Sequence, residues 1–301
     1  MKKIILTVAA VFVLGFANAQ EVKFGVKGGL NLSTIKSTFP SINGKAVTSP
    51  DNKMAVGFHV GGFAEIGLSD KLSFQPELLF SMEGAKFEST ESGTKNIGNQ
   101  SFTYTDNKTK NIVTNYINVP LLIKFKATEN LFFVAGPQVG FLMSAKEDYE
   151  IKSTQTSNGQ TYTYTDSETS NIVTNYINVP LLIKFKATEN LFFVAGPQVG
   201  FLMSAKQDYE SKSTETTNNV TTTSTDSKSG LDVKKQFESM SYALDLGAGY
   251  FFTENIFAEL RYNLGLSNNA KPVTENFGGV NYTYEPVYKA NTLQVSFGYR
   301  F

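Results

Sequence analysis

Read for alternation of apolar and polar positions, the chain divides into ten stretches with a period of two. Over Leu72–Met82 one face reads Leu72, Phe74, Pro76, Leu78, Phe80 and Met82, the other Ser73, Gln75, Glu77, Leu79 and Ser81. Over 117–127 Ile117, Val119, Leu121, Ile123 and Phe125 oppose Asn118, Pro120, Leu122, Lys124 and Lys126. At the end of the chain Leu293, Val295, Phe297, Tyr299 and Phe301 alternate with Gln294, Ser296, Gly298 and Arg300. The same pattern predicts strands near 22–32, 56–68, 131–144, 177–187, 191–204, 240–252 and 256–267. Each is about the 9–11 residues of a tilted strand crossing a bilayer, or a little more. Tight turns are expected at Leu68–Lys71, Ala127–Asn130, Ala187–Asn190 and Phe252–Asn255. Long polar connections are expected near 33–53, 86–113, 146–173, 206–238 and 269–288. Of these, the Ser/Thr-rich parts at 151–170 and 211–229 lack apolar content and are expected to be mobile loops.

One unit occurs twice. The 36-residue block Asn111–Lys146 returns without a difference at Asn171–Lys206, and weaker similarity extends it to a 60-residue repeat, about 102–154 and 162–214. TYTD recurs at 103–106 and 163–166. Each block holds two alternating stretches around a polar turn, a β-hairpin. Two copies are too few for a stacked solenoid to bury a core. A closed up-and-down barrel accepts an extra hairpin because its strand count stays even. The fold class expected is therefore all-β, a transmembrane antiparallel up-and-down barrel of ten strands, eight plus the duplicated hairpin.

The charges choose between a membrane barrel and a soluble barrel or sandwich. Lys23, Lys27, Glu65, Glu77, Glu83, Lys124, Lys126, Lys184, Lys186, Asp245, Glu259, Arg261 and Arg300 all fall on the polar faces. In a membrane barrel those faces enclose the lumen, where opposite charges pair. A slip of one residue in register would turn several toward lipid at once.

The N-terminus sets the compartment. Lys2 and Lys3 precede an apolar run, Ile4–Phe16, and Ala17-Asn18-Ala19 supplies the small residues of a cleavage site. Residues 1–19 read as a secretory signal peptide and 20–301 as the barrel domain. Cysteine is absent, so disulfides, thiolate metal sites and a lipidated N-terminus are excluded. No stretch after the signal reaches the 18 apolar residues of a spanning helix. Net charge is zero, from 27 basic and 27 acidic residues, which gives no electrostatic case for nucleic acid. With 25 Phe and 14 Tyr the chain is rich in aromatic strand formers.

Candidate chemistry is sparse. The one histidine, His59, is placed by its strand on the lumen face toward the long-loop rim, where a barrel enzyme would keep a general base. No Asp or Ser pairs with it by local spacing, and a histidine in a polar network is the preferred reading. One His and no Cys leave a metal site without ligands. Gly28-Gly29 and the glycines at 57, 61, 62 and 67 have no following helix and no Lys-Ser/Thr partner. They read as barrel curvature and close packing, not a phosphate loop. No catalytic, cofactor-binding or metal residue is assigned, and no cofactor is expected.

VKFGVKGGLNLS at 22–33, NYINVPLLIKFKA, AGPQVGFLM and the closing aromatic resemble the small bacterial outer-membrane β-barrel family, often described as porin-family or PorT-like. The resemblance covers essentially the whole mature chain, which departs from the usual eight strands by its repeat. It implies a bacterial outer-membrane protein, multi-pass, with both termini periplasmic and outer-membrane lipid around it. LQVSFGYRF is similar to the C-terminal signal of such barrels. Phe297, Tyr299 and Phe301 would be read by the barrel-assembly machinery, with periplasmic chaperones as further partners. Ten strands lie near the filled end of the barrel series, and Leu79, Leu122, Phe132 and Leu142 add bulk inside, which argues against a wide pore. The function expected is non-enzymatic: display of long extracellular loops for surface interaction or envelope integrity, with or without narrow-pore conductance. The alternative is a barrel-embedded protease or lipid-modifying enzyme using His59.

Overall fold

Four tight turns organise the wall. In each, a Ser or Thr hydroxyl accepts the backbone N–H three residues on: Ser69 from Leu72 at 3.1 Å, Thr128 from Leu131 at 3.1 Å, Thr188 from Leu191 at 2.9 Å and Thr253 from Ile256 at 2.9 Å. A side chain that closes its own turn fixes the hairpin register locally. The computed structural model describes residues 22–38, 51–97, 100–157, 160–217, 220–277, 280–284 and 287–301. The expected signal peptide, 1–19, lies outside the described residues.

Ten strands form the ring: β1 (Val22–Thr38), β2 (Ala55–Gly67), β3 (Leu72–Ile97), β4 (Gln100–Lys126), β5 in two pieces (Leu131–Ala135 and Gln138–Ser157), β6 (Gln160–Lys186), β7 (Leu191–Thr217), β8 (Met240–Phe251), β9 (Ile256–Gly265) and β10 (Val287–Arg300). Each pairs antiparallel with the next, and β1 pairs with β10, so no edge is left open around the ring. This is the all-β up-and-down barrel expected from the sequence. A short strand, Asp51–Lys53, adds to β3, and Val220–Asp232 adds to the upper part of β7. Val273–Phe277 and Val280–Tyr284 form a separate hairpin.

The two faces separate as the alternation requires. Leu78, Val60, Leu181 and Leu260 point outward, 55%, 53%, 50% and 47% exposed, within a belt that also carries Phe125, Phe185, Phe193 and Phe297. Inside, Glu77 and Asp245 are 5% exposed and His59 4%. A continuous apolar exterior around a polar, buried interior is stable only with hydrocarbon outside.

The structure departs from the sequence reading above the belt. The segments near 86–113, 146–173 and 206–238, expected as loops, are largely strand. β3 pairs with β4 as far as Ile97↔Gln100, β5 with β6 as far as Ser157↔Gln160, and β7 with Val220–Asp232 as far as Thr217↔Val220. At about 3.3 Å per residue, the fifteen or so residues beyond the belt make a wall on the order of 50 Å long. Its base holds a small apolar cluster, Ala85, Phe87 and Ile112 with Ile35 against it, and above that its stability rests on the ladder and on cross-strand side-chain pairs. Its outer face carries rows of hydroxyls. Ser92, Thr105, Thr154, Thr163, Thr216 and Thr221 stand in register across six strands. Ser92–Thr105 and Thr216–Thr221 hydrogen-bond at 3.1 and 3.0 Å. Threonine suits this surface because its branched Cβ favours extended backbone.

Candidate functional site

The lumen is built in tiers from the tight turns upward. Lys23, Lys126, Lys186 and Arg300 lie at the turn rim. Lys126 pairs with Glu129 of the turn at 2.9 Å, and Arg300 Nη2 donates to the carbonyl of Glu254 at 2.8 Å. Lys186 lies over the Phe132 ring at 5.2 Å.

Next comes an apolar plug. Val134, Leu182, Phe192 and Val194 form a buried cluster with Leu122 and Phe251 against it. Ring contacts continue it around the wall, Phe192–Phe251 at 6.0 Å, Phe251–Phe257 at 5.5 Å and Phe257–Phe63 at 6.2 Å. Three of these rings lie flat on a glycine directly opposite in the ladder: Phe63 on Gly25, Phe192 on Gly249 and Phe257 on Gly298. A Cβ at Gly249 would sit 2.1 Å from the Phe192 ring. Gly249→Ala is therefore expected to displace that ring and cost about 1–3 kcal/mol through overpacking. Urea titration of the refolded barrel checks this, and an unchanged midpoint would contradict the close seating.

The two copies of the repeated lysine are placed differently. Lys124 meets Glu65 at 3.1 Å, but its copy, Lys184, stands over the Phe192 ring at 3.7 Å. Above the plug lie two ion pairs, Lys27–Glu77 at 2.7 Å and Arg261–Glu259 at 2.6 Å. Gln75 also donates to Glu77. Asp245 accepts from Asn263 at 2.8 Å, and Glu83 accepts from Ser81 at 3.0 Å and Thr292 at 3.2 Å.

His59 sits in a network that sequence spacing did not reveal. Asn31 Nδ2 donates to Ser81 Oγ and the Met82 carbonyl, both at 2.9 Å, which fixes the orientation of its amide. Asn31 Oδ1 then faces His59 Nδ1 at 2.8 Å and must accept from it. His59 Nε2 is left bare and accepts from Ser296 Oγ at 2.8 Å. With a neutral ring, these contacts select the Nδ1–H tautomer. Ser296 and Asn31 are 237 and 28 residues away in sequence, and the closure of β1 against β10 brings them together.

A cavity of about 420 Å³ opens above the plug, with Leu122 and Leu182 on its floor. Its walls include Lys27, His59, Glu77, Glu83, Asp245, Glu259, Arg261 and Ser296, and both copies of the repeat contribute equivalently through Tyr116 and Tyr176, Asn118 and Asn178, Gln138 and Gln198. The C-terminal aromatics point the other way. Phe297, Tyr299 and Phe301 are exposed on the outside, Tyr299 and Phe301 with ring centroids 5.0 Å apart.

Among known proteins, the family described as outer membrane protein beta-barrel domain matches residues 18–171 and again 148–271. No curated protein matches. Solved structures similar to the chain include the outer membrane protease OmpT of Escherichia coli. It is 9% identical, with 94% of this chain and 97% of that one covered and a TM-score of 0.41. OprG of Pseudomonas aeruginosa is 10% identical, with 94% and 98% covered and a TM-score of 0.32. Ail, the attachment invasion locus protein of Yersinia pestis, is 10% identical, with 94% and 100% covered and a TM-score of 0.24. The lipid-compatible belt, the closed antiparallel ring and a family match over residues 18–271 agree: the chain belongs to the outer membrane protein beta-barrel domain family and is a protein of the bacterial outer membrane.

Proposed function

We propose that this protein is a non-enzymatic outer-membrane barrel that acts at the cell surface through the strand-built wall above its rim, over a lumen shut at the opposite end. In this reading the tight turns and both termini face the periplasm. Outer-membrane lipid contacts the belt, and Phe297, Tyr299 and Phe301 present the signal that the assembly machinery reads as periplasmic chaperones deliver the chain. The observation that supports the reading is the apolar cluster below the cavity, Val134, Leu182, Phe192 and Val194, continued around the barrel by the rings seated on Gly25, Gly249 and Gly298. Refolded into a planar bilayer, the protein is expected to be electrically silent, with folding verified by heat-modifiable gel mobility. The double variant Leu182→Ala with Phe192→Ala is expected to show discrete steps. Steps in the unmodified protein that shrink on deletion of residues 147–206 would overturn the reading and show that the extra hairpin widens a real pore.

One observation favours a second reading, a lumen hydrolase. Ser296, His59 and Asn31 have the order of nucleophile, base and orienting group. Against it, Ser296 and His59 are almost fully buried, and the backbone around Ser296 is committed to ladders with Gly29 and Glu259, which leaves no free N–H pair for an oxyanion. Labelling by a fluorophosphonate decides the matter. Modification at Ser296 that disappears in His59→Gln would establish the hydrolase.

A further inference from the structure

The strand-built wall ends in two open edges. One is Val220–Asp232, which pairs with β7 and, among the described residues, with no strand on its other side. Every residue of it except Leu231 is exposed. The other edge is the upper part of β3. Asp51–Lys53 pairs with β3 at Lys86, Phe87 and Glu88, and from Ser89 to Ile97 β4 is its one strand neighbour among the described residues. Each edge presents backbone N–H and C=O groups that no ladder takes up, the template onto which another strand adds. Little blunts these edges. Neither stretch holds a proline, and the one irregularity, between Lys228 and Leu231, lies at the foot of its strand, below Val220–Lys228.

Direction and register say what fits them. β3 climbs from its tight turn to the hairpin at Ile97↔Gln100, whereas Val220–Asp232 descends from the hairpin at Thr217↔Val220. The membrane gives every copy of the barrel one orientation. The descending edge of one copy therefore meets the climbing edge of a neighbour antiparallel, while a two-fold axis along the membrane normal would set like edges parallel. Glu91, Asp106, Ser153, Tyr164, Glu215 and Thr222 form one row across the wall, so Glu91 shares a face with Thr222 and, along an unshifted ladder, with Lys228. Setting Glu91 opposite Lys228 places Asp226 opposite the uncharged Gly93 and brings the two hairpin tips nearly level, with Ile97 opposite Thr222. On the other face the same register opposes Ser92 to Ser227 and Thr94 to Thr225. Hydroxyl pairs of this kind already join Ser92 to Thr105 and Thr216 to Thr221 within one wall. Six strands about 4.8 Å apart span about 29 Å along the sheet, and a ten-stranded barrel with its side chains is on the order of 30 Å across, so adjacent barrels bring these edges within reach.

We propose that neighbouring copies of this protein join edge to edge above the membrane, Val220–Lys228 of one pairing antiparallel with Ser89–Ile97 of the next. The contact is head to tail, so it repeats from copy to copy and makes a row or ring of barrels beneath one continuous sheet. A single edge contact is small, but copies confined to one plane in one orientation meet at a high effective concentration. The inference deepens the surface role proposed above and rests on it. Cross-linking and conductance are separate readouts, so either can fail alone.

The absence of cysteine makes disulfide trapping a clean test. Ser92→Cys and Ser227→Cys, carried on two differently tagged copies in one outer membrane and oxidised with copper phenanthroline, are expected to give a mixed dimer. The doubly substituted chain is expected to give a ladder of multimers. Ser92→Cys with Thr163→Cys, a position in the middle of the wall, measures chance collision and is expected to yield far less. Glu91→Lys on the Ser92→Cys copy is expected to lower the mixed dimer about fivefold, and Lys228→Glu on the other copy to restore it, with heat-modifiable mobility retained throughout. Dimers of either single variant with itself would mean that like edges meet. A mobility shift confined to the monomer of the double variant would mean that the wall closes on itself. Either result would overturn the proposal, as would a mixed dimer no more abundant than the collision control or a yield unmoved by Glu91→Lys.

Discussion

Glu77→Leu is expected to lower the stability of the folded barrel by about 3–5 kcal/mol, the cost of stranding a buried charge. Glu77 and Lys27 bridge β3 and β1 at 2.7 Å, and their side chains are only 5% and 12% exposed. Removing the carboxylate leaves a largely buried ammonium without its ion-pair partner. Replacing both, Lys27→Met with Glu77→Leu, removes charge and counter-charge together and is expected to recover most of the loss. Unfolding in urea, followed by gel mobility, gives the two midpoints. Equal midpoints for the single and double variants would mean that the pair is solvated despite its burial.

The second large effect concerns the outside. Leu121→Arg is expected to block assembly, whereas Leu122→Arg is largely tolerated. Leu121 lies about six residues from its turn, which puts it on the order of 15 Å along the barrel axis and near the bilayer midplane. An arginine facing lipid there costs about 2–4 kcal/mol. Leu122 faces the other way, at the junction of plug and cavity, where a guanidinium lies in the polar lumen. The repeat supplies an internal control. Leu181 is the same residue in the same sequence context and is 50% exposed, so Leu181→Arg should behave as Leu121→Arg does. Equal assembly of the Leu121 and Leu122 variants would reverse the inside–outside assignment.

Strand positions, facing and ring size were legible wherever one face is apolar, because period-two alternation then records the pleat directly. Leu72–Met82 and Leu293–Phe301 are such cases. The wall was not legible. From 152 to 157 and 211 to 217 both faces are polar, so alternation carries no signal and composition alone reads as loop. What makes these segments strand is pairing with neighbours that are themselves polar, and the hydroxyl rows become visible only once the register is known. The same limit hid the surroundings of His59. Its strand and facing follow from the sequence, but its partners come from β1 and β10, and only closure of the ring decides which residues of those strands stand beside it. The glycines under the plug rings fall between the two cases. Gly25, Gly249 and Gly298 sit at lumen positions of predicted strands, and a glycine opposite an inward phenylalanine could have been read as a seat for the ring.

The repeated hairpin changes the interior in a way that no single side chain does. Barrel diameter grows roughly in proportion to strand number, so passing from eight strands to ten enlarges the cross-section by roughly half. β3 and β8, which flank the two copies, bring the same inward residues whatever lies between them. The inserted pair contributes its inner faces from only two strands, while the area to be filled grows as the square of the circumference. Void is the arithmetic outcome, and it collects where the plug does not reach. Seen in this way the repeat is an expansion joint. It turns a rod packed solid into a vessel, and it furnishes the new room with second copies of side chains that were already there.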